Sequence, residues 1–160
     1  MQTIKLNKQE DKVVKWVLQA RSKDKSRPVL TGVFIEHLND IPVMVCCDGF
    51  KAFAAELEGE YEDGLYTVLT HSNKILVLEP LSGMFPNYKA ILKDGIKDGQ
   101  VIDTDNNNLT NIDPKMLKAA ASMPSDDIQI AAGGWNKPMA FSGGSGLKMY
   151  GMIMPRHLKD

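Results

Sequence analysis

Lysines recur at helical spacing near the start of the chain, and evenly spaced cations on a rigid surface could bind a polyanion. Lys8, Lys12, Lys15, Gln19 and Ser22 gather on one side of a helix that turns about 100° per residue, and Lys23 lies close to them. Such a surface can contact the phosphates of nucleic acid without reading its bases. An ordinary solvated helix face has the same composition. The choice between the two depends on what the rest of the chain places beside these lysines.

The helix that carries these lysines is predicted over residues 7–27. Asn7 and Glu10 have the spacing of a capping box at its start. The side opposite the lysines is apolar and consists of Val13, Val14, Val17 and Ala20. Because an apolar stripe must be covered, this side is expected to pack on a sheet or on another helix.

A second helix is predicted from Asp113 to about Met123, with aspartate as its cap and Pro114 at its first helical position. Its buried side is predicted to contain Leu117, Ala120 and Met116. Its outer side is predicted to contain Lys115, Lys118 and Ser122. Two lysine-bearing helices on one side of a sheet would be a more specific signal for an anionic partner than one.

The remaining pattern predicts an α+β fold with an antiparallel sheet. Alternating or β-branched runs indicate strands at residues 2–6, 29–38, 41–50, 50–57, 65–69, 74–78, 127–132, 137–142 and 146–154. Asn39–Asp40 is a tight hairpin turn, residues 58–64 are an acidic turn, and residues 79–108 are mostly loop. The two helices start roughly a hundred residues apart in matching contexts, which predicts a duplicated βαβββ unit with both helices on one face. We therefore expect one domain over residues 1–160, with half-repeats at about 1–80 and 100–160 and a looser connection at 80–108.

Composition is that of a soluble globular domain, with 43% apolar and 24% charged residues among 160. The net charge of −1 gives no bulk attraction to nucleic acid, so position matters. Residues 8–27 contain seven Lys or Arg against three Asp or Glu, whereas residues 56–63 contain five acids and no base. No apolar run is long enough for a membrane helix, and no secretory signal is visible. Adjacent Cys46 and Cys47 fit core positions in a reducing cytoplasm.

Catalytic and metal-binding patterns are incomplete, and we predict neither an enzyme nor a cofactor. Residues 103–107 begin like a calcium loop, but Asn108 stands where glycine is required and Pro114 where glutamate is required. The glycine cluster at 143–146 has no following Lys-Ser/Thr and fits a hairpin turn better than a phosphate loop. The three histidines are scattered, and no serine or cysteine has the context of a nucleophile.

Four segments together resemble one domain of the bacterial DNA sliding clamp, the beta subunit of DNA polymerase III. They are RPVLTGVFIE at 27–36, CDGFKAFAAEL at 47–57, FPNYKAIL at 85–92 and MYGMIMPRHL at 149–158. The family has RP-L-GV, T-D-G-H-R-L-A, F-P-D-Y-R-V-L and Y-V-V-M-P-M-R-L in similar segments. Four such matches along most of the chain are more specific than any one of them.

The departures from the family pattern are also clear. Cys47, Phe50 and Lys51 stand where the family has Thr, His and Arg, and Arg156 replaces the second Met of the tail. The segment FPNYKAIL precedes the second helix, whereas the similar clamp segment closes a domain. A clamp subunit has three such domains, whereas this chain has one. The resemblance therefore suggests a reduced relative of the kind that phages or mobile elements encode.

The resemblance implies a non-enzymatic processivity or tethering factor whose helices line a pore and touch duplex DNA without sequence preference. The residues assigned to DNA are Lys8, Lys12, Lys15, Gln19, Lys23, Lys115 and Lys118. Rings of one-domain subunits would need about six copies by analogy with the family, and open sheet edges permit such assembly.

The resemblance also implies a pocket for short peptides of a replicative polymerase or a clamp-loader-like protein. Carried over by position, the pocket consists of Gly49, Phe50, Lys51, Ala52, Ile153, Met154, Pro155 and Leu158. Flexible methionines suit an adaptable peptide groove. The alternative for Met149, Met152, Ile153 and Met154 is a strand packed in the core or at a subunit edge. At the level of function, the alternative is a clamp-fold adaptor or inhibitor that binds a replication protein without encircling DNA.

Overall fold

One antiparallel sheet organises the computed structural model, which describes residues 1–89, 112–132, 138–144 and 146–154. Its strands are β1 Gln2–Lys5, β2 Val33–Leu38, β3 Ile41–Cys47, β4 Lys51–Glu56, β5 Gly64–Ser72, β6 Ile75–Pro80, β7 Ile128–Ala132, β8 Met139–Gly143 and β9 Met149–Ile153. Within the described ranges the nine strands follow the order β1-β6-β5-β2-β3-β4-β9-β8-β7. Each neighbouring pair is antiparallel. The predicted α+β class with an antiparallel sheet is confirmed.

Two tight hairpins set the register of β2 with β3 and of β5 with β6. Asn39 and Asp40 have φ of 51° and 65°, as a type I′ turn requires of both central residues, which confirms the predicted turn. The second turn lies at Asn73 and Lys74, with φ of 51° and 61°. Since Ser72 pairs with Ile75, the strand β5 runs further than predicted and includes His71.

The first helix has the predicted cap but ends earlier than predicted. In α1, Lys8–Val17, the Oδ1 atom of Asn7 accepts the backbone N–H groups of Gln9 and Glu10 at 2.8 Å each. The Oε2 atom of Glu10 accepts the backbone N–H of Asn7 at 3.1 Å, so the capping box is confirmed.

The prediction that this helix reaches residue 27 is wrong. A 3₁₀ turn, Leu18–Ala20, follows α1, and Arg21 then adopts an extended backbone with ψ of 143°. The backbone N–H of Ser22 bonds to the carbonyl of Leu30, and the side chains of Ser22 and Asp24 accept backbone N–H groups two residues on. These local bonds compete with helical ones. Lys23 consequently lies in a loop and not on the helix.

A one-turn helix replaces the start of the predicted strand 29–38. This helix, α2, spans Pro28–Thr31, and Pro28 occupies its first position, where proline is well tolerated. The hydroxyl of Thr31 donates to the carbonyl of Pro28 at 2.7 Å. The strand β2 therefore begins at Val33.

The last described helix, α3, spans Pro114–Ala121 and starts as predicted, with Asp113 as its cap. Its core-facing stripe consists of Met116, Ala119, Ala120 and the following Met123. Leu117 is 44% exposed, so the prediction that it is buried is wrong. Its neighbours at i−1, i+2 and i+3 occupy the stripe, which places Leu117 about 100° around the helix from Met116.

Trp16 joins both helices to the same face of the sheet. Its ring stacks on Phe53 of β4 with centroids 4.5 Å apart and meets Phe141 of β8 edge-on at 6.3 Å. Its indole N–H donates to the carbonyl of Ala119 in α3 at 3.1 Å. The predicted placement of both helices on one face is confirmed, and the main core lies between them and the sheet.

The opposite face of the sheet is covered in part by residues 81–89. Phe85 stacks on Phe34 at 5.2 Å, and Tyr88 meets Phe34 edge-on at 6.4 Å. The Tyr88 hydroxyl donates to the Glu36 carboxylate. Burial, together with the hydrogen bond and negative charge of Glu36, raises the pKa of Tyr88. Cys46 and Cys47 are buried free thiols, as predicted for core residues.

Some sequence predictions fall outside the described ranges. These are the calcium-like run at 103–108, most of the loop predicted at 79–108, and the tail beyond Met154. Among the helices that are described, none is long and apolar enough to cross a bilayer.

Two phenylalanines test this core. Phe53 is fully buried under Trp16, whereas Phe50 is 57% exposed three residues earlier. We expect Phe53→Ala to lower the free energy of unfolding by about 3–5 kcal/mol, because it removes the ring on which Trp16 stacks and leaves a cavity. Phe50→Ala should change it by less than about 0.5 kcal/mol in the same denaturant titration. Equal losses for the two variants would contradict this core.

Candidate nucleic-acid interface

Three lysines project from the outer side of α1. Lys8, Lys12 and Lys15 are exposed, as is Gln19 in the turn that follows, while Val13, Val14 and Val17 are buried beneath them. The local cause is the apolar stripe, which turns the intervening positions away from the sheet. The structure thus places all four side chains on the accessible side of α1 and of the turn that follows it.

The cations of α3 lie beside those of α1. Lys115 and Lys118 are exposed, and Ser122 at the end of α3 accepts a hydrogen bond from the Gln19 amide at 3.2 Å. A groove of about 510 Å³ separates α1 from the chain after α3, and Lys8 and Lys12 line one wall. Together with the Trp16–Ala119 bond, these contacts hold the two lysine-bearing helices next to each other.

A carboxylate that the sequence analysis did not assign controls one of these cations. Asp11 is buried, and its two oxygens contact the Lys15 ammonium at 2.7 Å and the His71 Nε2 atom at 3.0 Å. The hydrogen bond from Lys15, with the contact from His71, holds the pKa of Asp11 below its usual value despite burial. Lys15 therefore offers less free charge to a ligand than Lys12 does. The i,i+4 spacing of Asp11 and Lys15 was a signal for this pair in the sequence.

Glu10 attaches the acidic turn to the start of α1. Its Oε1 atom accepts the backbone N–H groups of Glu58 and Gly59 at 3.1 Å each and the Tyr61 hydroxyl at 3.2 Å. Burial, with the Glu10 charge, raises the pKa of Tyr61. The carboxylate of Glu58 consequently lies beside the cap, where it contacts the Asn7 amide at 3.0 Å. The positive surface of α1 is bounded by negative charge at this end.

The two segments assigned to peptide binding are neighbours in the sheet. β4 pairs with β9, so that Lys51 lies opposite Ile153, and the backbone N–H of Met154 donates to the carbonyl of Phe50 at 2.7 Å. Phe50 and Met154 are 57% and 37% exposed and form an apolar pair at the end of these strands.

Other members of the predicted pocket have different surroundings. The side chains of Ala52 and Ile153 are buried, at 3% and 0% exposure, and are not accessible to a peptide in this structure. Met149 and Met152 are buried as well, as expected if the strand packs in the core. Pro155 and Leu158 lie outside the described residues.

The turn between β3 and β4 holds Phe50 outward. The Oδ1 atom of Asp48 accepts the backbone N–H groups of Phe50 and Lys51 at 2.9 Å each, and its other oxygen pairs with the Lys51 ammonium. Gly49 has φ of +95°, which favours glycine in this turn. Lys23 faces this turn across a groove of about 500 Å³ that Phe50, Lys51 and Lys115 also line.

The described residues around this surface include no candidate metal site. Over the ranges that the structure describes, no three His, Cys, Asp or Glu side chains are grouped so as to hold an ion.

The Asp11 cluster makes a prediction about stability and pH. The pKa of Asp11 is lower in the folded protein than in the unfolded chain. The ionised Asp11 carboxylate therefore stabilises the fold at pH values above the ordinary carboxyl pKa, and this stabilisation is lost as the pH falls through the folded pKa. Asp11→Asn should lower the free energy of unfolding at pH 7 by about 1–3 kcal/mol. It should also flatten the loss of stability as the pH falls below the ordinary carboxyl pKa. Urea titrations at pH 7 and at a series of acidic pH values measure both effects.

The matched control is Glu60→Gln, which changes an exposed acid in the loop after β4. It should leave the stability and its pH profile close to those of the parent. A parent-like profile for Asp11→Asn would mean that the cluster contributes nothing.

Known structures share this arrangement of strands and helices. The beta subunit of DNA polymerase III from Thermotoga maritima matches with a TM-score of 0.64 and 16% identity over 98% of this chain and 66% of that one. The beta chain from Streptococcus pneumoniae matches with a TM-score of 0.64, 13% identity and coverages of 98% and 64%. The beta subunit from Borrelia burgdorferi, in complex with a natural product, matches with a TM-score of 0.63 and 15% identity over 99% of this chain and 64% of that one.

The chain thus spans just under two thirds of the length of the clamp chains it matches, at 64–66%. No protein-family model matches the sequence, and a comparison with curated proteins finds no match. The predicted resemblance is confirmed at the level of structure: this chain has the fold of the bacterial DNA sliding clamp, the beta subunit of DNA polymerase III.

Proposed function

We propose that this chain is a non-enzymatic, sliding-clamp-like processivity or tethering factor that holds duplex DNA through its two helices. The observation that carries the proposal is the placement of Lys8, Lys12, Lys115 and Lys118 on adjacent helices at one face of a clamp-type sheet. Cations on a rigid surface suffice for binding without sequence preference, because phosphates are the same at every base pair.

The cations do not contribute equally in this proposal. Lys12 is exposed and lines the groove between α1 and the chain after α3, whereas Lys15 is paired with Asp11 at 2.7 Å. A phosphate that recruits Lys15 must compete with a carboxylate already in place. Lys12 is accordingly the central contact, and Gln19 adds hydrogen bonding close to α3.

Partner docking belongs to the proposal through the exposed pair Phe50 and Met154, which lies at the strand ends. An apolar pair of this kind suits the anchor residue of a short peptide from a polymerase or a loader-like protein. The whole chain, 1–160, is proposed to act as one clamp-like unit built from the two half-repeats.

Salt dependence tests DNA binding. We expect Lys12→Ala to reduce the slope of log K against log salt by about 0.9 for a duplex, the effect of one lost phosphate contact. Lys15→Ala should reduce it less, because Asp11 already holds that ammonium. Fluorescence anisotropy with a labelled duplex of arbitrary sequence measures the slope.

The control is Lys5→Ala, since Lys5 lies on β1 between Ile4 and Leu6, whose side chains point to the helix-covered face. It should leave the slope unchanged. If Lys12→Ala and Lys15→Ala also leave it unchanged, the lysine face is merely solvated and the proposal fails.

Assembly separates the proposal from its rival, an adaptor or inhibitor with the same fold that does not enclose DNA. Enclosure predicts a closed ring of about six copies, by analogy with the clamp. Sedimentation should therefore give a ring-sized mass that remains associated with circular duplex and is released when the circle is cut. A monomer that does not sediment with the circle would favour the adaptor.

A further inference from the structure

We propose that His71 is a positioning residue for the outer side of α1, where it acts through Asp11 and where its protonation frees the Lys15 ammonium for an anionic ligand. The inference rests on the proposed function, because duplex DNA is that ligand, and it adds a control by pH. It starts from two contacts of one carboxylate, which join α1 to the hairpin between β5 and β6.

Asp11 is shared between two basic side chains from distant parts of the chain. Its Oδ2 atom contacts the Lys15 ammonium at 2.7 Å, one turn further along α1. Its Oδ1 atom contacts the Nε2 atom of His71 at 3.0 Å, 60 residues away in sequence. Because both oxygens belong to one charge, a change of charge on His71 alters how strongly that carboxylate attracts Lys15.

A β-bulge in β5 turns His71 toward α1. Val68 packs on the helix-covered side of the sheet, and strict alternation from Val68 would place His71 on the opposite side. The register with β6 shifts between Val68 and Thr70, which leaves Leu69 as the extra residue. Beyond the bulge His71 pairs with the buried Leu76, and its ring meets Asp11.

The three side chains differ in their freedom to move. His71 and Asp11 are 10% and 12% exposed, whereas Lys15 is 63% exposed. Asp11 and His71 are held between α1 and the sheet, but the long stem of Lys15 can carry its ammonium into solvent. Lys15 is therefore the member of the cluster that leaves when the attraction weakens.

Protonation of His71 weakens that attraction. Histidine is the side chain whose charge changes between about pH 5 and 8. The hydrogen bond from Lys15, with the contact from His71, holds the pKa of Asp11 below its usual value, so the carboxylate stays ionised over this range. With a neutral imidazole, Lys15 is the one cation on Asp11. With an imidazolium, two cations share the carboxylate and repel each other.

The other charged groups of the surrounding elements give a background that does not depend on His71. The acids at the start of α1 are engaged elsewhere, since Glu10 binds the acidic turn and Glu58 contacts the Asn7 amide. Among the ion pairs of the described residues, none involves the lysines of β1, α1 and the β5–β6 turn other than Lys15, which are Lys5, Lys8, Lys12 and Lys74. Their charges add to the field at every pH in the range.

Release of Lys15 increases the positive charge that α1 offers to a ligand. Lys8 and Lys12 are exposed at either pH, and Lys15 joins them when His71 carries a proton. Duplex affinity should therefore rise as the pH falls. Linkage makes the effect reciprocal, so that a bound duplex favours the protonated form of His71.

Salt titrations at two pH values test the control on the full chain. Between about pH 8 and about pH 5.5, the slope of log K against log salt for a labelled duplex should steepen by up to about 0.9, one phosphate contact. His71→Gln keeps a polar side chain without the charge, and its slope should equal that of the parent at the higher pH throughout. Lys15→Ala should likewise abolish the pH dependence.

The matched control is His37→Gln. His37 also contacts a carboxylate, Asp63, at 2.5 Å, but at an exposed position on β2. This variant should keep the full pH dependence of the parent. If His37→Gln abolishes the dependence, or if His71→Gln weakens binding equally at both pH values, His71 has no positioning role and the inference is wrong.

NMR on the isotope-labelled chain tests the release without any ligand. The Lys15 ammonium and the Asp11 carboxyl carbon should change their chemical shifts with the same midpoint as the His71 ring, and His71→Gln should remove that step. A His71 ring that titrates while the Lys15 ammonium does not respond would overturn the inference.

The two proposals fail in different ways. A duplex that binds with a slope dependent on Lys12, but with no pH dependence that His71→Gln removes, would overturn the control by pH and spare the proposed function. A duplex that binds the parent at neither pH would overturn the proposed function, and the NMR titration would still decide whether His71 releases Lys15.

Discussion

The contact on which the rest of the structure depends is made by Trp16. Its ring stacks on Phe53 with centroids 4.5 Å apart, while its indole N–H reaches the carbonyl of Ala119 at 3.1 Å. One side chain therefore ties α1 to the sheet and to α3. An aromatic pair of this kind adds directional preference to the burial of a large apolar area. Because both helices are attached through it, their lysines must share one side of the molecule.

Carboxylates decide how much of that positive surface is available. Asp11 holds Lys15 from within α1, and Glu10 draws the acidic turn with Glu58 to the helix start. The net charge of −1 conceals this separation, because five of the 20 acids lie together in a segment with no base that borders the lysines at the start of α1. Local placement at distances within a Debye length, about 8–10 Å, determines the field that an anionic partner meets.

The sequence supported the fold well and the details of the site less well. Local signals were reliable: Asn7 and Asp113 cap the two helices, and Asn39–Asp40 turns the hairpin, since each depends only on bonds within a few residues.

Leu117 was wrongly predicted to be buried because the short helix α3 has two plausible apolar sides. Only the contact of α3 with Trp16 and the sheet selects one of them. Lys23 was misplaced because a bond from Ser22 to Leu30 ends the helical region, and no pattern within residues 7–27 contains that bond. The distant likeness to clamps, at 10–16% identity across the structures compared, was nevertheless visible in four short segments.

By itself, the sequence determined the class of fold, the lysine spacing on each helix and the apolar strands that must be covered, because periodicity sets which residues share a face. Only the tertiary structure decided that Asp11 also contacts His71, that Ile153 is buried while Phe50 is exposed, and that Lys23 and Lys115 line one groove. The reason is physical: each of these depends on atoms that are far apart along the chain or on the direction of one side chain, and both are set by packing rather than by local preference.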